Sequence, residues 1–158
     1  MIAADIMTKS VICTRPSAPV SEIAALLLKN KISAVPVVDD DGAVVGMVSE
    51  DDLLRHGTAR KGQSWWLSLL AGDEMRPEEL AKARDAIAAD VMTRHVVATR
   101  ENAPLKVVAG LLRRYRIKRI PVVRRKKLVG IISRADLVNA LFDGTKRPPR
   151  SIKLPVQC

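Results

Sequence analysis

Apolar positions along this chain follow two periods, and the order in which those periods alternate is spelled twice. Val20, Ile23, Ala24 and Leu27 stand at i, i+3, i+4 and i+7, the stripe of a helix that buries one face. Leu105, Val108, Ala109 and Leu112 repeat that spacing. Each stripe follows a short apolar segment, residues 11–14 or 96–99, and then a proline. After each stripe come two β-branched runs around a turn, residues 35–38 with 44–48 and residues 120–123 with 128–132, which read as hairpins. A shorter helix is predicted after Ser49 and again after Ser133. The order is strand, helix, strand, strand, helix, given twice, so the fold class is α/β (α+β).

The repetition extends to individual residues. At an offset of 85, ADIMT (residues 4–8) returns as ADVMT (89–93), Ala18-Pro19 as Ala103-Pro104, and PVV at 36–38 as PVV at 121–123. The turn DDDG (39–42) is one residue longer than its counterpart, and the offset becomes 84 for Gly46/Gly130, Ser49/Ser133 and Asp52/Asp136. A repeat running nearly end to end shows the unit from which the fold is built. The segments are repeat 1 at 1–58, an insert at 59–88, repeat 2 at 89–143 and a basic, proline-containing tail at 144–158. Adjacent Trp65 and Trp66 in the insert are expected to cover a core edge or a subunit contact.

Composition narrows the picture. With 47% apolar and 3% aromatic residues among 158, the core is expected to be Val, Ile, Leu and Ala. Cys13 and Cys158 show no metal-ligand spacing and no disulfide framework, so Cys13 is expected to be a small buried residue. No apolar run is long enough to span a bilayer and no leader pattern opens the chain, which together predict a cytoplasmic protein with no membrane association. The net charge of +10 is uneven: residues 1–93 carry 10 basic and 14 acidic side chains, residues 94–158 carry 17 and 3. The second half therefore attracts anions.

The phrases GMVSEDDL (46–53) and GIISRADL (130–137) carry the candidate chemistry. One reading is a helix cap: the serine hydroxyl accepts a backbone N–H, and the acid three residues on sits at the positive helix end. The other is a nucleotide site. A tight strand-to-helix turn after glycine offers backbone N–H groups to phosphate. A carboxylate one turn in can accept hydrogen bonds from two vicinal ribose hydroxyls, at about 1.5–3 kcal/mol each.

Taken together, ADIMT/ADVMT, SAVPVV/KRIPVV and GMVSEDDL/GIISRADL resemble a tandem pair of CBS domains, the Bateman module, over residues 1 to 143. The resemblance implies two β-α-β-β-α repeats packed about a pseudo-twofold axis, with two clefts for adenosine ligands: AMP, ADP, ATP or S-adenosylmethionine. It places the ribose acids at Asp52 and Asp136, with Ser49 and Ser133 near phosphate. The base would lie against Thr14 or Thr99 and against Ser33, Ala34, Val35 and Pro36 or Lys118, Arg119, Ile120 and Pro121. Lys118 and Arg119 bring two cations where Ser33 and Ala34 are neutral, so the second cleft is expected to hold a phosphorylated ligand more tightly. The resemblance also implies a flat homodimer, with Trp65 and Trp66 near its contact, and a separate effector protein that it does not name. The insert is similar to that of bacterial CBS pairs that continue into a BON domain, although about 15 residues after the last predicted helix are too few for one.

No phosphate loop, zinc-protease motif or nucleophile elbow occurs, and His56 and His95 are single residues at predicted element ends. The chain is therefore expected to be no enzyme, with no catalytic residues, no metal site and no required cofactor. Two alternatives remain. The basic half could bind nucleic acid, although only Tyr115 and Phe142 are available there to stack on bases. Or the module could be a dimerisation scaffold with empty clefts, its acids serving only as caps.

Overall fold

The computed structural model describes residues 1–56 and 85–142. The expected Trp65–Trp66 contact and the basic tail lie outside the described residues. Contacts divide the chain into two compact units. Unit 1 holds Met1–Cys13, Val38–Val44 and the described part of His95–Cys158; unit 2 holds Thr14–Val37 and the described parts of Val45–Arg94. Each unit thus takes its opening ADxMT segment from the other sequence repeat.

Those segments are one-turn helices, α1 (Ala3–Ile6) and α4 (Ala88–Val91). The Asp5 carboxylate accepts the Ile2 N–H at 2.8 Å, and Asp90 accepts the Ile87 N–H at 3.0 Å, so each acid satisfies a donor that the helix start leaves open. The backbone N–H groups of Ala3 and Ala4 donate to the Ala103 and Glu101 carbonyls, and those of Ala88 and Ala89 to Ala18 and Pro16.

In unit 2, α2 (Val20–Asn30) starts after Pro19, whose φ of −60° is already set for a helix entry. It buries Val20, Ile23 and Leu27 and ends on Lys31 in the left-handed region. Two strands follow, β1 (Ala34–Val38) and β2 (Val44–Ser49), and then α3 (Glu50–His56). The turn between the strands lies in unit 1 and is shaped by Asp39, whose Oδ1 accepts the N–H groups of Asp41 and Ala43, while Gly42 takes φ +78°.

In unit 1, β3 (Thr99–Arg100) pairs in parallel with β4 (Arg119–Arg124), which pairs antiparallel with β5 (Lys127–Ser133). Helix α5 (Leu105–Arg114) buries Leu105, Val108 and Leu112, and α6 (Arg134–Phe142) follows β5 directly. The core joins Ala3 and Met7 to Leu105, Val108, Leu112, Ile120, Val122, Ile132 and Leu137. Glu101, just past β3, receives two bonds from the Arg124 guanidinium at 2.6 and 2.7 Å, which hold its carboxyl below the usual carboxylate range. Both groups meet solvent, so the pair positions β3 on β4 more than it stabilises the fold.

The elements read from periodicity are present: both amphipathic helices, both hairpins and both closing helices. The first apolar segment makes only a single bridge, Thr14 to Val37, where its counterpart forms β3. Gly46 and Gly130 lie inside β2 and β5, within the runs 44–48 and 128–132 that read as strands. A Cβ at Gly130 would stand 3.1 Å from the Met7 Cβ and closer still to its thioether, and Gly46 faces Met92 in the same way. These glycines make room for the methionine of an ADxMT helix. Cys13 is buried, as expected, but it is also disulfide-bonded. The other cysteine, Cys158, lies outside the described residues.

The second hairpin closes on Arg125 and Lys126, with φ of 49° and 70°. A two-residue turn with both positions left-handed favours Asn-Gly, and other side chains cost roughly 1–2 kcal/mol per residue there. Arg125→Asn with Lys126→Gly should raise unfolding stability by about 1–2 kcal/mol, read as an upward shift in urea midpoint. An unchanged midpoint would show that the turn carries no strain.

Candidate functional site

Each unit builds a corner where a strand ends on serine and a helix starts. In unit 2, Asp52 Oδ2 accepts the Ser49 N–H and Oγ–H, both at 2.8 Å, and the Asp52 N–H donates back to Ser49 Oγ at 3.2 Å. In unit 1, Asp136 Oδ2 accepts the Ser133 N–H and Oγ–H at 2.7 and 2.6 Å, and its own N–H reaches Ser133 Oγ at 3.3 Å. Both are reciprocal caps. The capping role read from the sequence is real, and it consumes one oxygen of each carboxylate.

The other oxygen separates the two corners. Asp52 Oδ1 accepts the Thr93 hydroxyl at 3.2 Å and lies 3.7 Å from an Arg55 nitrogen, and the residue is 8% exposed. Thr8 occupies the matching place in unit 1, with the same reciprocal backbone bonds to Ile131 that Thr93 makes to Met47. Its hydroxyl nevertheless makes no hydrogen bond to Asp136, and the residue matching Arg55 is Asn139. Among the described residues Asp136 Oδ1 has no partner, and Asp136 is only half-buried.

Backbone bonds bring the segment before each hairpin to these corners. The Glu50 N–H donates to the Ser33 carbonyl at 3.0 Å, and the Arg134 N–H donates to the Lys118 carbonyl at 3.0 Å. Arg119 sits opposite Ser133 in the β4–β5 ladder, and the Arg134 Nε–H donates to the Ile117 carbonyl at 3.0 Å. Lys118, Arg119 and Arg134 therefore share the Ser133–Asp136 corner, whereas Ser33, Ala34 and Glu50 belong to the Ser49–Asp52 corner. The Lys118 and Arg134 side chains are exposed, and Lys118 forms no ion pair among the described residues. Sequence reading missed Glu50 and Arg134. The signal lay in the aligned phrases, at the variable position after serine, and only the backbone contact gives it meaning.

The remaining candidates divide into two groups. Val35, Pro36, Ile120 and Pro121 are wholly buried, so their side chains belong to the core. Pro36 also gives its carbonyl to the Thr14 N–H at 2.9 Å. Thr14 and Thr99 are 7% and 6% exposed, and among the described residues neither hydroxyl has a hydrogen-bond partner. A buried hydroxyl left unpaired costs about 1–3 kcal/mol, so each marks a place where a further polar group would be stabilising. No hydrogen bond links Thr14 to Asp52, or Thr99 to Asp136, among the described residues. No group of His, Cys, Asp and Glu among them could hold a metal ion, and no described helix is long and apolar enough to cross a membrane.

Comparison with known proteins gives a consistent result. The family model described as CBS domain matches residues 3–58 and 88–143. The chain is 33% identical over 138 residues to the chloroplastic CBS domain-containing protein CBSX1 of Arabidopsis thaliana, covering 80% of this chain but only 57% of that one. Among solved structures, CBSX2 in complex with AMP is similar with a TM-score of 0.71 and 29% identity, over 92% of this chain and 98% of that chain. The CBS domain pair of protein MJ0100, in complex with 5-methylthioadenosine and S-adenosyl-L-methionine, is similar with a TM-score of 0.67 and 26% identity, over 91% and 97%.

Proposed function

Since the chain belongs to the CBS domain family and carries that domain twice in tandem, we propose that it is a regulatory module that binds an adenosine-containing ligand and catalyses no reaction itself. The observation that carries this reading is the open oxygen of Asp136 beside a corner already rich in hydrogen-bond donors. A carboxylate fixed by its cap and left with one unpaired oxygen is preorganised to accept from sugar hydroxyls, with little entropy to lose on binding. The adenosine ligands of the solved CBSX2 and MJ0100 structures support the choice of ligand class.

In this reading Ser133 holds the carboxylate in place. The unpaired hydroxyls of Thr14 and Thr99 are the candidate contacts for a base. Pro36, Val35, Ile120 and Pro121 shape the sheet beneath and offer backbone only. Nucleic-acid binding is less well supported: Tyr115 is the single aromatic side chain in the basic stretch 113–119, and Arg114 stands 5.7 Å from its ring centroid.

Calorimetric titration with AMP tests the proposal. Asp136→Asn keeps an acceptor for the cap but removes the charge, and should weaken AMP at least about tenfold, the worth of one charge-assisted hydrogen bond. Equal AMP affinity in the variant, with an unchanged melting curve, would remove Asp136 from the site.

A further inference from the structure

We propose that the two corners are not equivalent and that the second alone takes a ligand, an adenosine carrying a phosphate chain; the inference rests on the adenosine-binding reading above. Two independent observations lead here. The first is the state of the acids. Asp52 has both oxygens engaged, Oδ2 by Ser49 and Oδ1 by Thr93 with Arg55 alongside. For Asp52 to accept from a sugar, the Thr93 bond must break and the Arg55 contact must loosen, and that loss offsets the gain. Asp136 needs no such exchange, because its Oδ1 is unpartnered among the described residues.

The second observation is charge. The backbone bond from Arg134 to Lys118 places two exposed cations at one corner, with Arg119 opposite Ser133 on the ladder. The equivalent bond from Glu50 to Ser33 places an exposed acid beside a neutral residue, and Asp51 follows Glu50 on the same helix start. A polyphosphate at the second corner meets complementary charge. At the first it meets Glu50 and Asp51, where like charges are unfavourable, and Ser33 and Ala34 are neutral where Lys118 and Arg119 are cationic.

The division predicts a single phosphate-selective site per chain. The probes are ATP and adenosine, titrated into the whole protein by calorimetry. ATP should bind once per chain and at least about tenfold more tightly than adenosine, as charge-assisted phosphate contacts require. The pair Lys118→Ser with Arg134→Glu, which copies the first corner's residues into the second, should erase that preference. Arg134→Gln alone should give an intermediate loss, guarding against a double variant that fails to fold. Asp136→Asn should leave no site of comparable strength. Two ATP per chain, or half the ATP heat surviving in Asp136→Asn, would overturn the inference while leaving the functional reading intact. An equal affinity for ATP and adenosine would do the same. If neither probe binds, the functional reading itself fails.

Discussion

Ile120→Ala should lower unfolding stability by about 2–5 kcal/mol, among the largest losses a single substitution can give in this chain. Ile120 is fully buried on β4, opposite Ile132, and packs in the core that joins α1, α5 and the sheet of unit 1. Truncation removes three carbons from a site whose walls, Val108, Val122 and Ile132, are themselves wholly enclosed and have little freedom to collapse. Urea unfolding followed by circular dichroism measures the loss. The same variant separates a structural role from a ligand-contacting one. Titrated well below its unfolding transition, it should bind AMP as the parent does, because a side chain with no exposed surface touches no ligand. Lost affinity in a folded variant would show that Ile120 itself lines the site.

Gly130→Val should cost about 1–3 kcal/mol, the range for forcing extra atoms into a packed interior. The Met7 side chain fills the space that a Cβ would take, and the backbone there is tied to Thr8 by two bonds to Ile131. The discriminating measurement is the double variant. Met7→Ala alone opens a cavity and destabilises; combined with Gly130→Val it should recover a good part of the loss, so that the two changes are clearly non-additive. Strict additivity would show that the close approach of Met7 is not the reason for glycine. Gly46 and Met92 form the same arrangement in unit 2.

Much of this architecture was legible in the letters, for a physical reason. Helices α2 and α5 and the two hairpins are long enough to show their period, and the duplication checks each one against its copy. Helices α1 and α4 escaped notice because one turn has no period; they were visible only as a repeated word. Gly46 and Gly130 fall inside runs that read as strands, and nothing local says why glycine stands there. Their actual role depends on a methionine more than thirty-five residues away in sequence, and no local pattern reports that. The disulfide at Cys13 is not registered by spacing rules either.

The candidate site was legible in part. Ser49, Asp52, Ser133 and Asp136 stand where the repeated phrase put them, as strand-end and helix-start residues. Their caps could be anticipated, but the engagement of the remaining oxygens could not. Thr8 and Thr93 are identical in sequence, so only geometry distinguishes a hydroxyl that reaches its carboxylate from one that does not. The wholly buried Val35, Pro36, Ile120 and Pro121 were named because they lie between functional neighbours, and burial assigns their side chains to the interior.

Each compact unit borrows its one-turn opening helix from the opposite sequence repeat. A lone ancestral repeat built this way would have had its methionine wedge and its matching glycine notch on different bodies, able to meet only by trading arms with a twin. Fusion of two such copies into one polypeptide would have turned that trade between molecules into an internal one, and from then on the halves could no longer be parted without leaving each with an unfilled notch.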